Sequence, residues 1–439
     1  MIIQIKSRNE HLLDLLFKNP DTDFGLYFKP LKDGIIAGNV VSPHEYEIVF
    51  QDTQFSYMPE DGDQLDFQSY SSPLALLHIC TELFSHILKD KETFLRQELK
   101  WLGVTQGSLD KHACHITVPT LYIHSGWYRD GQHLLSRYFP GLKFTQRQGR
   151  NFCLEIEGAS VFEAFNLLSL VALLSHVTNE YGLFKYIDDS FAYKYVRVLT
   201  NIEQVPYFIF YLYAKRAVKS VKQFQLVKPV MEQYLLRNGI EAELTWYGTQ
   251  QDRQLFITGL LDTGTAILDI GCGELSYYKR MMNKGLKATY YAVDEEERFA
   301  QLGAAIARRL EATNLEFYTR LEDCGTKEEV NIIMSEVIEH NTLEAAGDLI
   351  KKAMTYNFRQ ITITTPNADF NIFYGDDDRF RHEDHHFELS REAFRQLIDS
   401  CLDGREDARI TFDQIGDKLN GLQPTQACII SRIPKNDQQ

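Results

Sequence analysis

Two groups of carboxylates and imidazoles stand out in the carboxyl-terminal half of the chain. The first, Ser335-Glu-Val-Ile-Glu-His340, directly follows the apolar run Asn331 to Met334. Helical backbone here sets Glu336, Glu339 and His340 at i, i+3 and i+4, on one face. Two carboxylates so placed repel unless a cation or a proton lies between them, so the spacing points to a divalent metal. The zinc-peptidase pattern H-E-x-x-H needs a histidine where Glu336 stands, and its inverted form fails at the same residue. Mixed carboxylate and imidazole ligation suits Mn²⁺, or Mg²⁺ with lower affinity, better than a structural zinc. The plainer alternative is a capping acid beside a histidine satisfied near the sheet.

The second group is Arg381-His-Glu-Asp-His-His-Phe-Glu388, on a polar loop that follows Thr364-Thr-Pro-Asn-Ala-Asp-Phe-Asn371. This loop leaves the carboxyl end of a strand, the end at which doubly wound sheets bind ligands. One imidazole from His382, His385 and His386 can complete a metal site, and spacing does not select among them. Ser390, with Glu392 and Phe394 behind it, starts a new helix.

A third feature precedes both. Ile267-Leu-Asp-Ile-Gly-Cys-Gly-Glu274 reads as a buried strand entering a glycine turn, with a helix from about Leu275. Asp269, Gly271, Gly273 and Glu274 form this turn, and its glycines permit close backbone approach to a ligand. The next strand ends in Asp294, 294 − 273 = 21 residues past the second glycine, near the ~20 expected of a carboxylate that holds a ribose. A nicotinamide dinucleotide requires glycine at 276, where Ser276 stands, so its pyrophosphate cradle is incomplete. The alternative without a ligand is a tight strand-to-helix turn with Asp294 as a cap.

The elements that must hold these residues follow an alternating rhythm from Thr265 onward. Strand-type runs at Ala266 to Ile270, Ala288 to Val293, Asn331 to Met334 and Gln360 to Thr364 are separated by helical patterns, as in a doubly wound α/β sheet. The last two runs, Ala408 to Phe412 and Ala427 to Ile433, have only a polar loop between them and predict an antiparallel edge pair. The first 200 residues lack this rhythm. Strand candidates there (Phe24 to Phe28, Glu45 to Phe50) mix with amphipathic helices at Pro73 to Leu88 and Val161 to Leu174, which predicts a separate α+β domain. Between Tyr211 and Arg237 lie Lys215, Arg216, Lys219, Lys222, Lys228 and Arg237 against Glu232, a local charge of 6 − 1 = +5. Such a run is either a solvated helix face or a surface for phosphates or an acidic partner. The expected division is 1–210 (α+β), 211–245 (basic helical linker) and 246–439 (α/β).

The whole chain of 439 residues carries a net charge of −15, so −20 lies outside the basic run. That balance argues against a protein that coats nucleic acid nonspecifically. Seven cysteines without a C-x-x-C pair suggest neither a disulfide framework nor a thiolate zinc site. No stretch reaches the roughly 18 apolar residues of a membrane helix, and the amino terminus lacks signal-peptide character. A cytoplasmic location is expected.

A D-x-G-x-G turn with an acidic end to the second strand resembles the S-adenosylmethionine site of class I methyltransferases. With E-V-I-E-H, T-P-N-x-x-F-N and R-H-x-D-H-x-F-E in order behind it, the region from about Gln250 to Leu402 resembles the HEN family of small-RNA 3′-terminal 2′-O-methyltransferases. The resemblance implies a class I methyltransferase domain using S-adenosylmethionine and Mn²⁺ or Mg²⁺. It implies Glu336, Glu339, His340 and His385 as metal ligands, with His340, His385, His382 and His386 as the candidates for proton transfer. It implies an RNA substrate with a free 3′-terminal 2′,3′-diol. Tyr70-Ser-Ser-Pro-Leu-Ala-Leu and Ala164-Phe-Asn-Leu-Leu-Ser-Leu resemble the extra domain of bacterial members, which implies a polynucleotide kinase-phosphatase and an RNA ligase as partners in RNA repair, with this domain supporting the ligase. Leu389 departs from the family pattern, which has tryptophan there, and Phe317 to Val330 is shorter than the family's segment. A scaffold or ligase activator, and a methyltransferase acting on a small molecule or protein, are the competing functional classes.

Overall fold

A computed structural model describes residues 1–16, 26–31, 34–52, 71–123, 127–129, 131–178, 189–375, 381–382, 384–402 and 404–433. Phe24 and Tyr70, used above, lie outside them. The chain divides into two compact units, Met1–Asn238 and Gly239–Gln439.

In the first unit, seven antiparallel strands run across one sheet in the order Leu142–Gln148, Asn151–Gly158, Cys114–Tyr122, Ile2–Ser7, Glu45–Asp52, Gly34–Ser42, Leu26–Leu31. Their inward residues alternate, as Ile3, Ile5, Ile116, Val118, Leu154 and Ile156 show by their complete burial. The helix Val161–Val177 packs on this sheet and on the helix Pro73–Leu83. Its start is fixed by a reciprocal cap: Glu163 donates its N–H to Ser160 Oγ, and Ala159 donates its N–H to Glu163 Oε2. Nearly all its residues are buried, so it is a core helix and not the amphipathic helix expected over Val161 to Leu174.

The basic segment forms a π-helical turn, Tyr213–Ala217, and a helix, Val221–Arg237, that packs on the helix Asp189–Asn201 of the same unit. Lys222 pairs with Asp189 and Lys228 with Glu232. Part of the positive charge is therefore answered locally.

The second unit, whose elements are numbered here within it, holds strands β1 (Ala266–Ile270), β2 (Tyr290–Val293), β3 (Leu315–Tyr318), β4 (Val330–Ser335), β5 (Phe358–Pro366), β6 (Ala408–Ile415) and β7 (Thr425–Arg432). They form one sheet in the order β3-β2-β1-β4-β5-β7-β6, parallel except for β7. This is the class I methyltransferase arrangement, and β7 with β6 supplies the antiparallel edge pair the sequence predicts. The helices α1 (Thr249–Leu260), α2 (Ser276–Asn283), α3 (Glu297–Arg309), α4 (Leu343–Ala353) and α5 (Arg391–Leu402) accompany it. Every residue of β1 is buried because apolar clusters cover both faces of the sheet. The strand β3, by contrast, is half-exposed along its length. Its mixed Leu-Glu-Phe-Tyr pattern gave no strand signal.

Candidate active site

The carboxyl ends of β1, β2, β4 and β5 converge on the residues singled out above. At the end of β1, Gly271 and Gly273 both adopt positive φ (72° and 46°), and Leu275 joins them at 57° before α2 begins at Ser276. Gly271 and Cys272 donate their N–H groups to Val293 O at 2.8 and 3.1 Å, which ties the turn to the end of β2. A Cβ added at Gly271 would lie 2.4 Å from Val337 Cγ2, whereas one at Gly273 would meet nothing within 4 Å. The second glycine therefore presents bare backbone to open space. Gly273 N–H donates to Asp294 Oδ2 at 2.9 Å, and Asp294 Oδ1 accepts from Glu296 N–H at 3.1 Å. Each oxygen keeps a lone pair for a ligand, and Glu274 is exposed beside them. Asp269 differs from these. It is 1% exposed and accepts the Tyr290 hydroxyl at 2.5 Å. Burial pushes its carboxyl up to about 7, with the charge of Asp294 adding to the rise.

The turn after β4 is not an α-helix. Glu336 takes a left-handed backbone (φ 56°), its N–H donating to Thr364 O at 2.9 Å, and Ile338–His340 make a single 3₁₀ turn. A non-glycine residue in this region costs on the order of 1–3 kcal/mol, a price met mostly at functional sites. Helical spacing would set Glu336, Glu339 and His340 on one face, and this turn instead leaves Glu336 apart from the other two. Glu339 and His340, with His385 from the later loop, bring one ligand atom each within 4.8 Å of the others. Glu336 stands outside that triad, its Oε2 paired with Arg253 of α1 at 2.9 Å.

The two glutamates differ in their surroundings. Glu339 is fully buried and accepts the Thr365 hydroxyl at 3.0 Å through Oε2. Glu339 Oε1 and Glu336 Oε1 are both buried without a hydrogen-bond partner. Burial first, then the neighbouring charge of Glu336, pushes the Glu339 carboxyl up to about 8. Two buried carboxylate oxygens without hydrogen-bond partners could accept a divalent cation.

The imidazoles are oriented by carboxylates. Nδ1 of His385 lies 2.7 Å from Glu388 Oε1, Nδ1 of His340 3.3 Å from Asp384 Oδ2, and Nδ1 of His382 2.7 Å from Asp384 Oδ1. An ionised carboxylate only accepts, so the hydrogen bonds of His385 and His382 are donated from Nδ1. His385 is the buried one, with 8% of its side chain exposed against 73% for His382. The rings of His340 and His385 meet edge-on at 5.0 Å. His386 is exposed and anchors the loop through its backbone, donating N–H to Glu339 O at 2.8 Å.

Known proteins match this chain along nearly all its length. The family described as the Hen1 N-terminal domain matches residues 2–236. A chain in the structure of the Pnkp1/Rnl/Hen1 RNA repair complex is 46% identical, covering 98% of this chain and 100% of that one, with a TM-score of 0.86. The chain belongs to the Hen1 family. A second structure, of the Pnkp1/Rnl/Hen1 complex, matches at 46% identity over 99% and 100% of the two chains, with a TM-score of 0.83. No curated protein sequence matches.

Within this Hen1-family chain several residues of the sequence blocks, given no role by their spacing, support the site. Arg381 donates through Nε to Asn371 Oδ1 (2.7 Å), and its terminal nitrogens reach Asn367 O and Pro424 O, both at 2.5 Å. Asn371 in turn donates to Glu388 Oε2 at 2.7 Å, and Arg381 N–H donates to Glu388 Oε1 at 2.6 Å. The T-P-N-x-x-F-N and R-H-x-D-H-x-F-E blocks are thus one hydrogen-bonded unit that fixes Glu388 beneath His385. Tyr277 and Ser335 hydroxyls lie 2.7 Å apart, and Ser335 is 3.1 Å from the Thr364 hydroxyl, which braces the end of β4. Leu389 packs against the apolar core of the sheet.

Proposed function

We propose that the second unit transfers the methyl group of S-adenosylmethionine to the 2′-OH of the 3′-terminal ribose of RNA, with Mn²⁺ or Mg²⁺ held by Glu336, Glu339, His340 and His385. The observation that carries this reading is the meeting of Glu339, His340 and His385 within 4.8 Å, at the same sheet end as the Gly271–Gly273 turn, with two carboxylate oxygens left unpaired. Arg253 occupies the Glu336 carboxylate at present, and Glu336 joins the other three by exchanging that partner.

Asp294 and the bare backbone at Gly273 suit the ribose and methionine ends of the cofactor, and Asp269 acts from below by fixing the turn through Tyr290. The cofactor brings the electrophilic methyl sulfonium, and a bound divalent ion makes a ribose hydroxyl acidic enough to react near neutral pH. Glu388 and Asp384 hold the imidazoles in the tautomer that leaves Nε2 available. His382, exposed and hydrogen-bonded through Nδ1 to Asp384, has the arrangement of the proton acceptor, because His340 and His385 are committed as ligands. The reaction forms a bond from the 2′-oxygen to carbon, breaks the sulfur–methyl bond, and passes the hydroxyl proton to this imidazole.

The first unit, matching the Hen1 N-terminal domain, we assign to assembly with a polynucleotide kinase-phosphatase and an RNA ligase in RNA repair, by analogy with the complexes its relatives form. Labelled-methyl transfer to a short RNA tests the catalytic reading. Transfer is expected to a 3′-terminal diol in the presence of Mn²⁺, and to fall to background with a chelator or with a 3′-phosphate. Equal transfer to the phosphate-ended RNA would refute diol recognition.

A further inference from the structure

Beside the residues that perform chemistry, the same sheet end carries a cavity of about 160 Å³ lined by Arg391, Arg395, Phe412, Gln414, Gln423 and Gln426, among others. Small-molecule sites usually span ~300–1,000 Å³, so this volume suits one group of a longer ligand. Its place in the fold says which ligand. Gln426 is the cross-strand partner of Thr365, the residue whose hydroxyl holds Glu339. Gln426 also donates to Pro366 O and Leu389 O at 3.1 and 2.8 Å, and Gln423 O accepts from Asn367 at 2.9 Å. One wall of the cavity is therefore formed by Gln423 and Gln426, which are hydrogen-bonded to Pro366 and Asn367 at the end of β5. The opposite wall, Phe412 to Gln414 of β6, lies two strands from β5, roughly 10 Å at ordinary strand spacing.

The chemistry of the lining is cationic and planar. Arg391 and Arg395 stand at i and i+4 on α5 and are both exposed. Arg395 lies with its guanidinium 4.6 Å from the Phe412 ring centre, and among the described residues it has no carboxylate within ion-pairing distance. Arg391 leans on Asp369 at 3.7 Å, and Asp413 is the acidic residue of the lining. Gln423 N–H holds the Gln414 amide oxygen at 3.1 Å, which orients the Gln414 amide in the wall.

We propose that this cavity seats the RNA strand just upstream of its 3′-terminal nucleotide, with Arg391 and Arg395 on backbone phosphate and the Arg395–Phe412 stack alongside a base. The site gives the second unit a grip on single-stranded RNA that does not depend on the terminal diol. In a chain of net charge −15, two arginines at the same sheet end as the candidate metal site localise phosphate affinity toward the strand end. This inference rests on the RNA substrate proposed above.

The test uses the full chain and a 5′-fluorescein-labelled 12-nucleotide RNA with a 3′-terminal diol, its binding followed by anisotropy across salt concentrations. Arg391→Glu/Arg395→Glu is expected to raise Kd about 10-fold and to lower the slope of log Kd against log salt by about 1.4, since each single-strand phosphate contact contributes ~0.7. The neutral pair Arg391→Gln/Arg395→Gln should lose the same slope. S-adenosylmethionine affinity equal to that of the wild type shows that both variants fold. Unchanged Kd and slope in both would overturn the proposal. Absence of methyl transfer by the wild-type chain would instead strike the proposed function, leaving the binding result readable.

Discussion

Asp269 and Asp294 sit at the ends of adjacent strands, yet their surroundings divide their duties. Asp294 is half-buried and its oxygens accept backbone N–H groups. Asp269 is buried against Tyr290, and its carboxyl rises to about 7. Because the folded state holds this proton more tightly than the unfolded chain, the associated stability is fully present below about pH 4 and is lost as pH rises through about 7. Asp269→Asn keeps an acceptor for Tyr290 without a charge. Its melting temperature, relative to that of the wild type, should therefore climb between about pH 4 and about pH 7 and level off above, each pKa unit carrying up to about 1.4 kcal/mol. A constant difference over that range would show that Asp269 is ionised at no cost. At this scale the sequence was only partly legible: spacing left His382, His385 and His386 as equals and the family resemblance alone singled out His385, whereas burial and the Glu388 contact set that residue apart physically. Arg253 could not be found at all, because its link to Glu336 exists only once α1 is set against the end of β4.

At the scale of elements, the apolar strands were readable because strands covered on both faces are nearly all hydrophobic. Ala266–Ile270 appears with the bounds its sequence predicts. The turn after β4 was not, because i, i+3, i+4 spacing fits an α-helix and also a left-handed residue followed by a 3₁₀ turn. Strand pairing to Thr364 O selects the second. Asn367, Asn371 and Pro424 are tied together by Arg381, whose planar fork reaches three acceptors at once. Arg381→Lys cannot reproduce that fork. It should weaken Mn²⁺ binding ~10–100-fold, the usual loss when ligand support is removed, with cofactor affinity retained; calorimetric titration of each ligand separates the two. Equal loss of both would mean that Arg381 holds the whole domain and not the histidine loop.

For the molecule as a whole, the two units differ in kind: an antiparallel sheet backed by a buried helix in the first, a doubly wound sheet in the second. The contrast was visible in the sequence as the presence or absence of a β-α rhythm. The seven-stranded antiparallel order of the first unit was not, since pairing among its strands is set by long-range contacts such as Ile2–Ser7 with Cys114–Tyr122. Among the described residues no helix is long and apolar enough to cross a membrane. Membership of the Hen1 family unites the halves, and the chemistry proposed for the second unit is the claim on which the rest depends. Periodate oxidation of the reaction product tests it most directly, because a 2′-O-methylated terminal ribose no longer has a vicinal diol. RNA incubated with the full chain, S-adenosylmethionine and Mn²⁺ should resist periodate, and RNA incubated with His385→Ala should remain fully sensitive although that variant still binds the cofactor. Methylated RNA that periodate still cleaves, or a His385→Ala product as resistant as that of the wild type, would contradict the account.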